Sequence, residues 1–232
     1  MSPPPPDVPL TLALEASQTA ASVALLDAQG MLAERVLAPG ERSARFLAPA
    51  IQTLLAGADR RLADLRLVAV SVGPGSFTSL RVGVTTAKTL AYALGIDVIG
   101  IGSLDALAAQ APPAPRVDVG VDAGRGQVYA GSFDTSRPGL PRSLAPVAAI
   151  DLAEWQASTT GWVTGPILAK PGLTWPTSAR MTAADTWNLR AATVGALALE
   201  RHRMGERDDL WRLAPLYVRT SAAEERRAAQ DR

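Results

Sequence analysis

The sequence predicts an α/β protein built as two lobes. Three short strands in succession are followed by a helix and then by a strand, a helix and a strand, which form a βαβ unit with a parallel strand pair. A proline-rich segment at 111–115 separates this half from a second, weaker set of strands and helices. The predicted division is a disordered lead-in at 1–9, an N-terminal lobe at 10–111, a C-terminal lobe at 112–220 and a frayed tail at 221–232.

The first lobe opens with predicted strands at 10–15, 20–26 and 31–37, joined by polar turns. Residues 42–57 carry apolar pairs four residues apart, a pattern typical of a helix with a wide apolar stripe. Buried strands are predicted at 67–72 and 97–101, with a helix at 80–94 between them that ends at Gly95. Ser103 is expected to cap a short helix at 104–110.

The second lobe is predicted to begin with strands at 117–121 and 127–133 around a tight turn at 122–126. A third strand is expected at 143–149, and Asp151 is positioned to cap a helix at 152–157. A short strand at 162–164 and a helix at 189–203 complete the lobe.

Composition excludes several classes of function. The 23 basic and 22 acidic residues give a net charge of +1, so no broad field favours DNA or a membrane surface. There is no cysteine, which excludes disulfides, thiolate nucleophiles and zinc–cysteine sites. No apolar run is long enough to cross a bilayer, and the first residues do not resemble a secretory signal, so a soluble, cytoplasmic protein is expected.

Catalytic candidates are few. His202 is the sole histidine, lies among charged residues, and is predicted to be a solvated helix residue and not a metal ligand or triad member. We therefore predict no catalytic residue and no metal site. Among the acids, Glu15, Asp118 and Asp122 follow apolar strand residues, where carboxylates often face the cleft of an α/β fold. The alternative for each is a side chain that ties down a turn.

A glycine-rich loop at residues 73–78 precedes the predicted helix at 80–94, and free N–H groups at a helix N-terminus favour an anion. The loop matches neither the Walker spacing nor Gly-x-Gly-x-x-Gly. A nucleotide or anion site and a purely structural turn are therefore equally supported. The candidate anion-binding residues are Gly73, Gly75, Ser76, Phe77, Thr78 and Arg81.

Two helices carry more apolar surface than one sheet needs. The helix at 80–94 has one apolar line and a second line of small residues, which lets another backbone approach closely. Packing on the chain's own sheet explains one line, and a helix–helix contact with another subunit explains the surplus. The candidate interface residues are Phe46, Leu47, Ala50, Ile51, Leu54, Leu80, Gly83, Val84, Ala87, Ala91 and Leu94.

Four segments together resemble a known family. They are LALEAS with ASVALL at 12–17 and 21–26, GPGSFTSLRVG at 73–83, DAGRGQVY at 122–129, and PLYVR at 215–219. In this order they are similar to the bacterial TsaB (YeaZ) proteins, and they span nearly the whole chain. Arg42, where many relatives carry histidine, and Ser79, where they carry glycine, depart from the family pattern.

The resemblance implies a two-lobed actin-like or Hsp70-like ATPase (ASKHA) fold with ribonuclease H-like mixed sheets. It implies a non-catalytic subunit for N6-threonylcarbamoyladenosine synthesis at position 37 of tRNAs that read ANN codons. Such a subunit pairs with and activates the transferase TsaD, works with the ATPase TsaE, forms homodimers when alone and meets tRNA through the complex. The helices at 42–57 and 80–94 would form the contact. No cofactor is required, and any ATP or ADP binding is weak and mainly at the complex.

Two enzymes are the rival interpretations. A small actin-fold ATPase or phosphotransferase would use an early carboxylate and a glycine-rich hairpin. Here the segment at 15–19, EASQT, has the carboxylate but no glycine, so a phosphate would meet side chains. A peptidase is disfavoured by the absence of a plausible triad or metal ligand set in the sequence.

Overall fold

The computed structural model describes residues 8–18, 20–38 and 43–218. Most of the predicted lead-in, the tail at 221–232 and the residue Arg42 lie outside these ranges. Within them the chain forms two mixed β-sheets, as predicted. No helix in the described part of the chain combines the length and apolarity needed to cross a membrane.

The first sheet has the strand order β3-β2-β1-β4-β5. Strand β2 runs antiparallel to its neighbours β1 and β3, whereas β1, β4 and β5 are mutually parallel. The strands are β1 (Thr11–Glu15), β2 (Ser22–Asp27), β3 (Gly30–Val36), β4 (Leu67–Gly73) and β5 (Asp97–Gly102). The helices are α1 (Ser43–Gly57), α2 (Phe77–Leu94) and α3 (Ser103–Ala109).

The second sheet repeats this arrangement. Its main strands lie in the order β9-β7-β6-β10-β11, with β7 antiparallel to β6 and β9, and with β6, β10 and β11 parallel. The strands are β6 (Val117–Gly124), β7 (Gln127–Asp134), β8 (Arg142–Ser143), β9 (Ala148–Asp151), β10 (Gly161–Thr164) and β11 (Ala179–Met181). The helices are α4 (Leu152–Ser158) and α5 (Ala191–Arg203).

The apolar faces of α1 and α2 pack against the chain's own first sheet. Gly83 lets α2 approach closely, since an added Cβ there would lie 3.0 Å from the Ala16 side chain. Most of the predicted interface residues are therefore buried in the chain's own core, and the prediction of a subunit contact at these two helices stays a prediction. The buried residues are Leu47, Ala50, Ile51, Leu54, Leu80, Gly83, Val84, Ala87 and Ala91. Phe46 and Leu94 are half-buried against the same core.

The predicted lobe boundary also needs correction, because α5 packs on the first sheet, against β1, β2 and β4. Gly195 permits this contact, since a Cβ there would lie 2.3 Å from the Leu26 side chain. Helices α3 and α5 share one apolar core with residues of both sheets, including Ile99 and Val119. Helix α5, which the sequence analysis places in the second lobe, therefore packs with residues of the first lobe.

The segment that follows α5 runs back over the first lobe. We call residues 206–218 the C-terminal strap. The Gly100 N–H donates to the Asp208 carboxylate at 2.6 Å, and the Leu216 N–H donates to the Val72 carbonyl at 2.7 Å. Lys88 of α2 donates to the Leu213 carbonyl at 2.9 Å. The strap is thus fixed along β4, β5 and one side of α2.

Smaller differences from the sequence prediction have local causes. Ser103 lies inside α3, whose N-cap is Gly102, and its hydroxyl is buried without a partner among the described residues. Asp151 caps α4 as predicted, accepting from the Ala153 N–H at 2.9 Å. His202 is half-buried, and its ring nitrogen lies 3.1 Å from the carboxylate of Asp97, a contact that joins α5 to β5.

Candidate functional site

The loop after β4 packs directly on the turn after β1. The Gly73–Pro74 peptide bond is cis, and Gly73 has a φ of 109°. The Ser76 N–H donates to the Ser17 carbonyl at 2.7 Å. A Cβ on Gly75 would lie 2.2 Å from that same carbonyl oxygen. The glycine at 75 is therefore required by a close approach of the chain's own backbone.

A buried carboxylate holds this turn in place. Glu15 is fully buried at the end of β1, and its Oε1 accepts from the Ser17 N–H and the Ser17 hydroxyl, each at 2.6 Å. Its Oε2 has no hydrogen-bond partner within the described ranges. Burial raises the pKa of Glu15 to about 7, although hydrogen bonds from Ser17 and Ser71 act in the opposite direction. Glu15 thus ties down the turn that follows β1.

An open cleft of about 450 Å³ lies between the lobes, beside this turn. Of the predicted anion-binding residues, Gly75 and Ser76 line it. No lysine or arginine is among the described residues that form its wall. The lining residues are Ser17, Gln18, Ala20, Gly75, Ser76, Val121, Asp122, Ala123, Tyr129, Pro166 and Asn188.

The remaining predicted residues of that set do not line the cleft. Arg81 donates from Nε to the Tyr217 hydroxyl at 2.9 Å, and its guanidinium lies 3.9 Å from the centroid of the Phe77 ring. The rings of Phe77 and Tyr217 lie 4.9 Å apart. A Cβ on Gly73 would lie 3.1 Å from a strap carbonyl, and Thr78 is exposed on α2. Arg81 therefore contacts the strap and the Phe77 ring and does not line the cleft.

The two second-lobe acids have different roles. Asp118 is buried at the start of β6, where it accepts from the Ser132 hydroxyl at 2.5 Å and pairs with Arg116 at 3.0 Å. These contacts are structural. Asp122 lines the cleft and pairs with Lys170 at 3.0 Å. Lys170 is the only cation that these contacts bring near the cleft, and it is thus already paired with the Asp122 carboxylate.

Sequence reasoning missed three residues of the cleft: Gln18, Tyr129 and Asn188. The Gln18 Oε1 accepts from the Leu189 N–H at 3.1 Å, a partner far away in the sequence. No local pattern marks such a contact. Only Tyr129 carried a signal, because it ends the DAGRGQVY segment at the predicted hairpin.

Within 8–18, 20–38 and 43–218, no three histidine, aspartate or glutamate side chains are grouped to hold an ion. The cleft is lined by hydroxyl, amide and aromatic groups, and the carboxylate of Glu15 is buried beneath it.

The fold and the site together define the structural class of this protein. Each sheet has five main strands in the order 3-2-1-4-5 with the second strand antiparallel, which is the ribonuclease H-like arrangement. Two such units facing each other across a cleft, joined by helices, make an actin-like ATPase fold, as the sequence predicts.

Comparisons with known proteins identify the family. Residues 39–158 match the family model of TsaD, tRNA N6-adenosine threonylcarbamoyltransferase. The "tRNA threonylcarbamoyladenosine biosynthesis protein TsaB" of Bacillus subtilis is 35% identical over 62% of this chain, and the match spans only 63% of that relative. The Escherichia coli protein of the same name is 31% identical over 68% of this chain and 74% of the relative.

Solved structures agree. YeaZ from Pseudomonas aeruginosa aligns over 90% of this chain and 99% of its own, with a TM-score of 0.74 and 27% identity. Another structure, described as an uncharacterized protein with similarity to peptidase YEAZ from Pseudomonas aeruginosa, has a TM-score of 0.75 and 26% identity over 91% of this chain. The chain belongs to the TsaB (YeaZ) family.

The contact between Ser17 and Gly75 predicts a sharp sensitivity to side-chain size. We expect Gly75→Ala to lower the free energy of unfolding by about 2 kcal/mol or more, because the added methyl collides with backbone and not with a movable side chain. Gly57→Ala is the matched control, since a Cβ there meets nothing within 4 Å. Denaturant unfolding measures both, and equal effects at the two positions would contradict this packing.

The buried acid predicts a pH-dependent stability. The folded pKa of Glu15, about 7, lies above its ordinary value of 4.5, so the folded state holds the proton more tightly. The free energy of unfolding should therefore lose up to about 3 kcal/mol from this group as the pH rises from about 4.5 to about 7.

Glu15→Gln removes this titration. Denaturant melts at pH 5 and pH 8 should show the variant gaining stability relative to wild type as the pH rises. Parallel pH profiles for the two proteins would mean that Glu15 does not carry a raised pKa.

Proposed function

We propose that this chain is the non-catalytic subunit of the complex that installs N6-threonylcarbamoyladenosine at position 37 of tRNAs reading ANN codons. In this proposal it works in the cytoplasm, where it pairs with and activates a TsaD-like transferase. A TsaE-like ATPase joins the complex, and tRNA is reached through the complex. The same surface forms a homodimer when the chain is alone.

Two of its relatives support the pathway. The matched proteins of Bacillus subtilis and Escherichia coli are named for tRNA threonylcarbamoyladenosine biosynthesis. This chain also matches the family model of the transferase itself. Two related chains can pack corresponding helices against each other, so the match favours a partner of similar fold.

The outward faces of α1 and α2 carry the pairing proposal. On α2, the exposed positions Thr78, Thr85, Thr89 and Ala93 follow a helical spacing and are uncharged, and Arg81 and Tyr92 are exposed at the edge of this row. On α1, which contacts α2, most exposed side chains after Arg45 are also small or neutral, among them Ala48, Gln52, Thr53 and Ala56. Surface helices usually carry charge, and interface cores are depleted of it, so this face fits a helix–helix contact.

The buried carboxylate supports a non-catalytic role. Phosphoryl transfer depends on positioned cations and metal ions around the phosphates. At this loop a phosphate would instead contact the Ser17 carbonyl oxygen, which carries no positive charge. The Glu15 carboxylate is fully buried beneath the turn. We therefore propose that the subunit needs no cofactor and that any ATP or ADP binding is weak and occurs mainly at the complex. The same features disfavour the alternative of a small actin-fold ATPase.

Pairing is tested by a charge on the outward face. Thr89→Arg should abolish complex formation with the transferase of the same organism on size-exclusion chromatography, because an unpaired guanidinium would be buried in a helix–helix contact. The chain should keep its wild-type melting temperature, since Thr89 is exposed. Ala157→Arg, on exposed α4 in the other lobe, is the control and should pair normally. A Thr89→Arg chain that still co-elutes with the transferase would refute this face.

A further inference from the structure

We infer that the C-terminal strap and the side of α2 beside it form a surface that binds unpaired RNA nucleotides directly. Bases stack on exposed aromatic rings of this surface, and phosphates lie near cations that no carboxylate neutralises. The surface itself fits unpaired nucleotides of any kind, and their assignment to RNA rests on the proposed function. The contact is weak, and it adds to the route through the complex by which that function reaches tRNA.

Two aromatic pairs lie along this surface, one towards each end of α2. Tyr92 and Trp211 are 68% and 75% exposed, and their ring centroids lie 5.6 Å apart. Phe77 and Tyr217 are also exposed, with centroids 4.9 Å apart. Phe77 and Tyr92 are separated by about 22 Å along the helix axis. Rings that are open to solvent offer faces on which successive bases can stack.

The rings of the strap belong to a backbone that the first lobe holds in place. Leu210 and Leu213 are half-buried against the core of that lobe, whereas Trp211 between them is exposed. The Leu216 N–H donates to the Val72 carbonyl, which fixes the strap next to Tyr217. A fixed backbone presents its aromatic side chains to a ligand with little loss of conformational entropy.

Two cations of α2 lie on the same side as the rings. The Arg81 guanidinium stacks on the Phe77 ring and donates to the Tyr217 hydroxyl, and the Lys88 ammonium donates to the Leu213 carbonyl at 2.9 Å. All of these partners are neutral. Within the described ranges, neither cation has a carboxylate partner. Their charge therefore stays available to phosphates.

One further cation and one carboxylate lie at the Trp211 end. The Arg212 side chain is 90% exposed and lies 3.9 Å from the Asp209 carboxylate. Asp209 also accepts from the Trp211 N–H at 2.7 Å, which holds the carboxylate at this turn. With this pair matched, Arg81 and Lys88 still leave the surface with a local positive charge. The net charge of +1 for the whole chain is compatible with such a local patch.

A protein partner is the alternative occupant of this surface. Interface cores are enriched in the same aromatic residues and in arginine, but they are depleted of lysine, and a buried cation there needs a carboxylate from the partner. Sites for single strands combine rings that stack the bases with cations that follow the backbone. The unmatched cations beside the rings therefore favour an RNA strand.

Fluorescence anisotropy on the full chain tests this contact, with a labelled single-stranded RNA of about 12 nucleotides as the probe. We expect binding at about 50 mM salt that weakens about tenfold at about 200 mM salt, because two or three phosphates are contacted. The fully paired duplex of the same sequence should bind more weakly, since its bases are already stacked on each other. Single-stranded DNA of this sequence should bind no more tightly than the RNA.

Variants at exposed positions separate stacking from charge. Trp211→Leu keeps an apolar side chain but removes the flat ring, and it should weaken binding about tenfold, the effect of one lost stacked base. Trp211→Phe keeps a ring and should bind within about threefold of wild type. Arg212→Glu should weaken binding about tenfold. Arg137→Glu, at an exposed position of the second lobe, is the matched control and should bind like wild type.

Several results would overturn the inference. They are no RNA binding up to about 100 μM protein at low salt, duplex RNA or single-stranded DNA binding more tightly than the single-stranded RNA, unchanged binding in Trp211→Leu, or equal losses in Arg212→Glu and Arg137→Glu. If Trp211→Leu binds RNA normally but no longer pairs with the transferase, the surface belongs to a protein partner. Thr89→Arg tests pairing without RNA, so a failure of either proposal is seen separately.

Discussion

The contact between the Ser17 carbonyl and Gly75 is the constraint on which the rest of this site depends. It joins the turn after β1 to the loop before α2, and no side chain fits between them. Glu15 holds the turn from below through two short hydrogen bonds to Ser17. In an ATPase, a carboxylate and a glycine loop at these places would both act on a phosphate. Here both contact Ser17: Glu15 accepts from its N–H and hydroxyl, and the loop donates to its carbonyl.

The molecule has the architecture of an actin-like ATPase, whereas no lysine or arginine is among the described residues that line its cleft. The loop positions the start of α2, and α2 then packs its small residues on the sheet and turns a row of threonines outward. Helices α3 and α5 fill the space between the sheets with one shared core. The strap fixes the remaining side of α2 through Lys88 and Arg81. The outward face of this helix pair stays exposed in the described chain.

Much of this could be predicted from the sequence, because strand and helix periods and the glycine stops are local signals. The strands of the first sheet and the helices α1 and α2 follow from such patterns. The burial of Ala87 could not, since a small-residue line fits a sheet and a foreign helix equally well. The return of α5 to the first lobe, and the pairing of Gln18 with Leu189, depend on contacts between distant parts of the chain. The roles of Glu15 and Asp118 stayed open because the burial of their side chains depends on how the whole chain packs.

The most direct test of the central claim is the rate of tRNA modification in a reconstituted complex that contains Glu15→Gln. If the carboxylate only holds the turn, the variant should support modification within about twofold of the wild-type rate, since no proton or phosphate passes through it. A loss of about a hundredfold or more, with pairing to the transferase intact, would show that Glu15 takes part in the chemistry and would contradict the account.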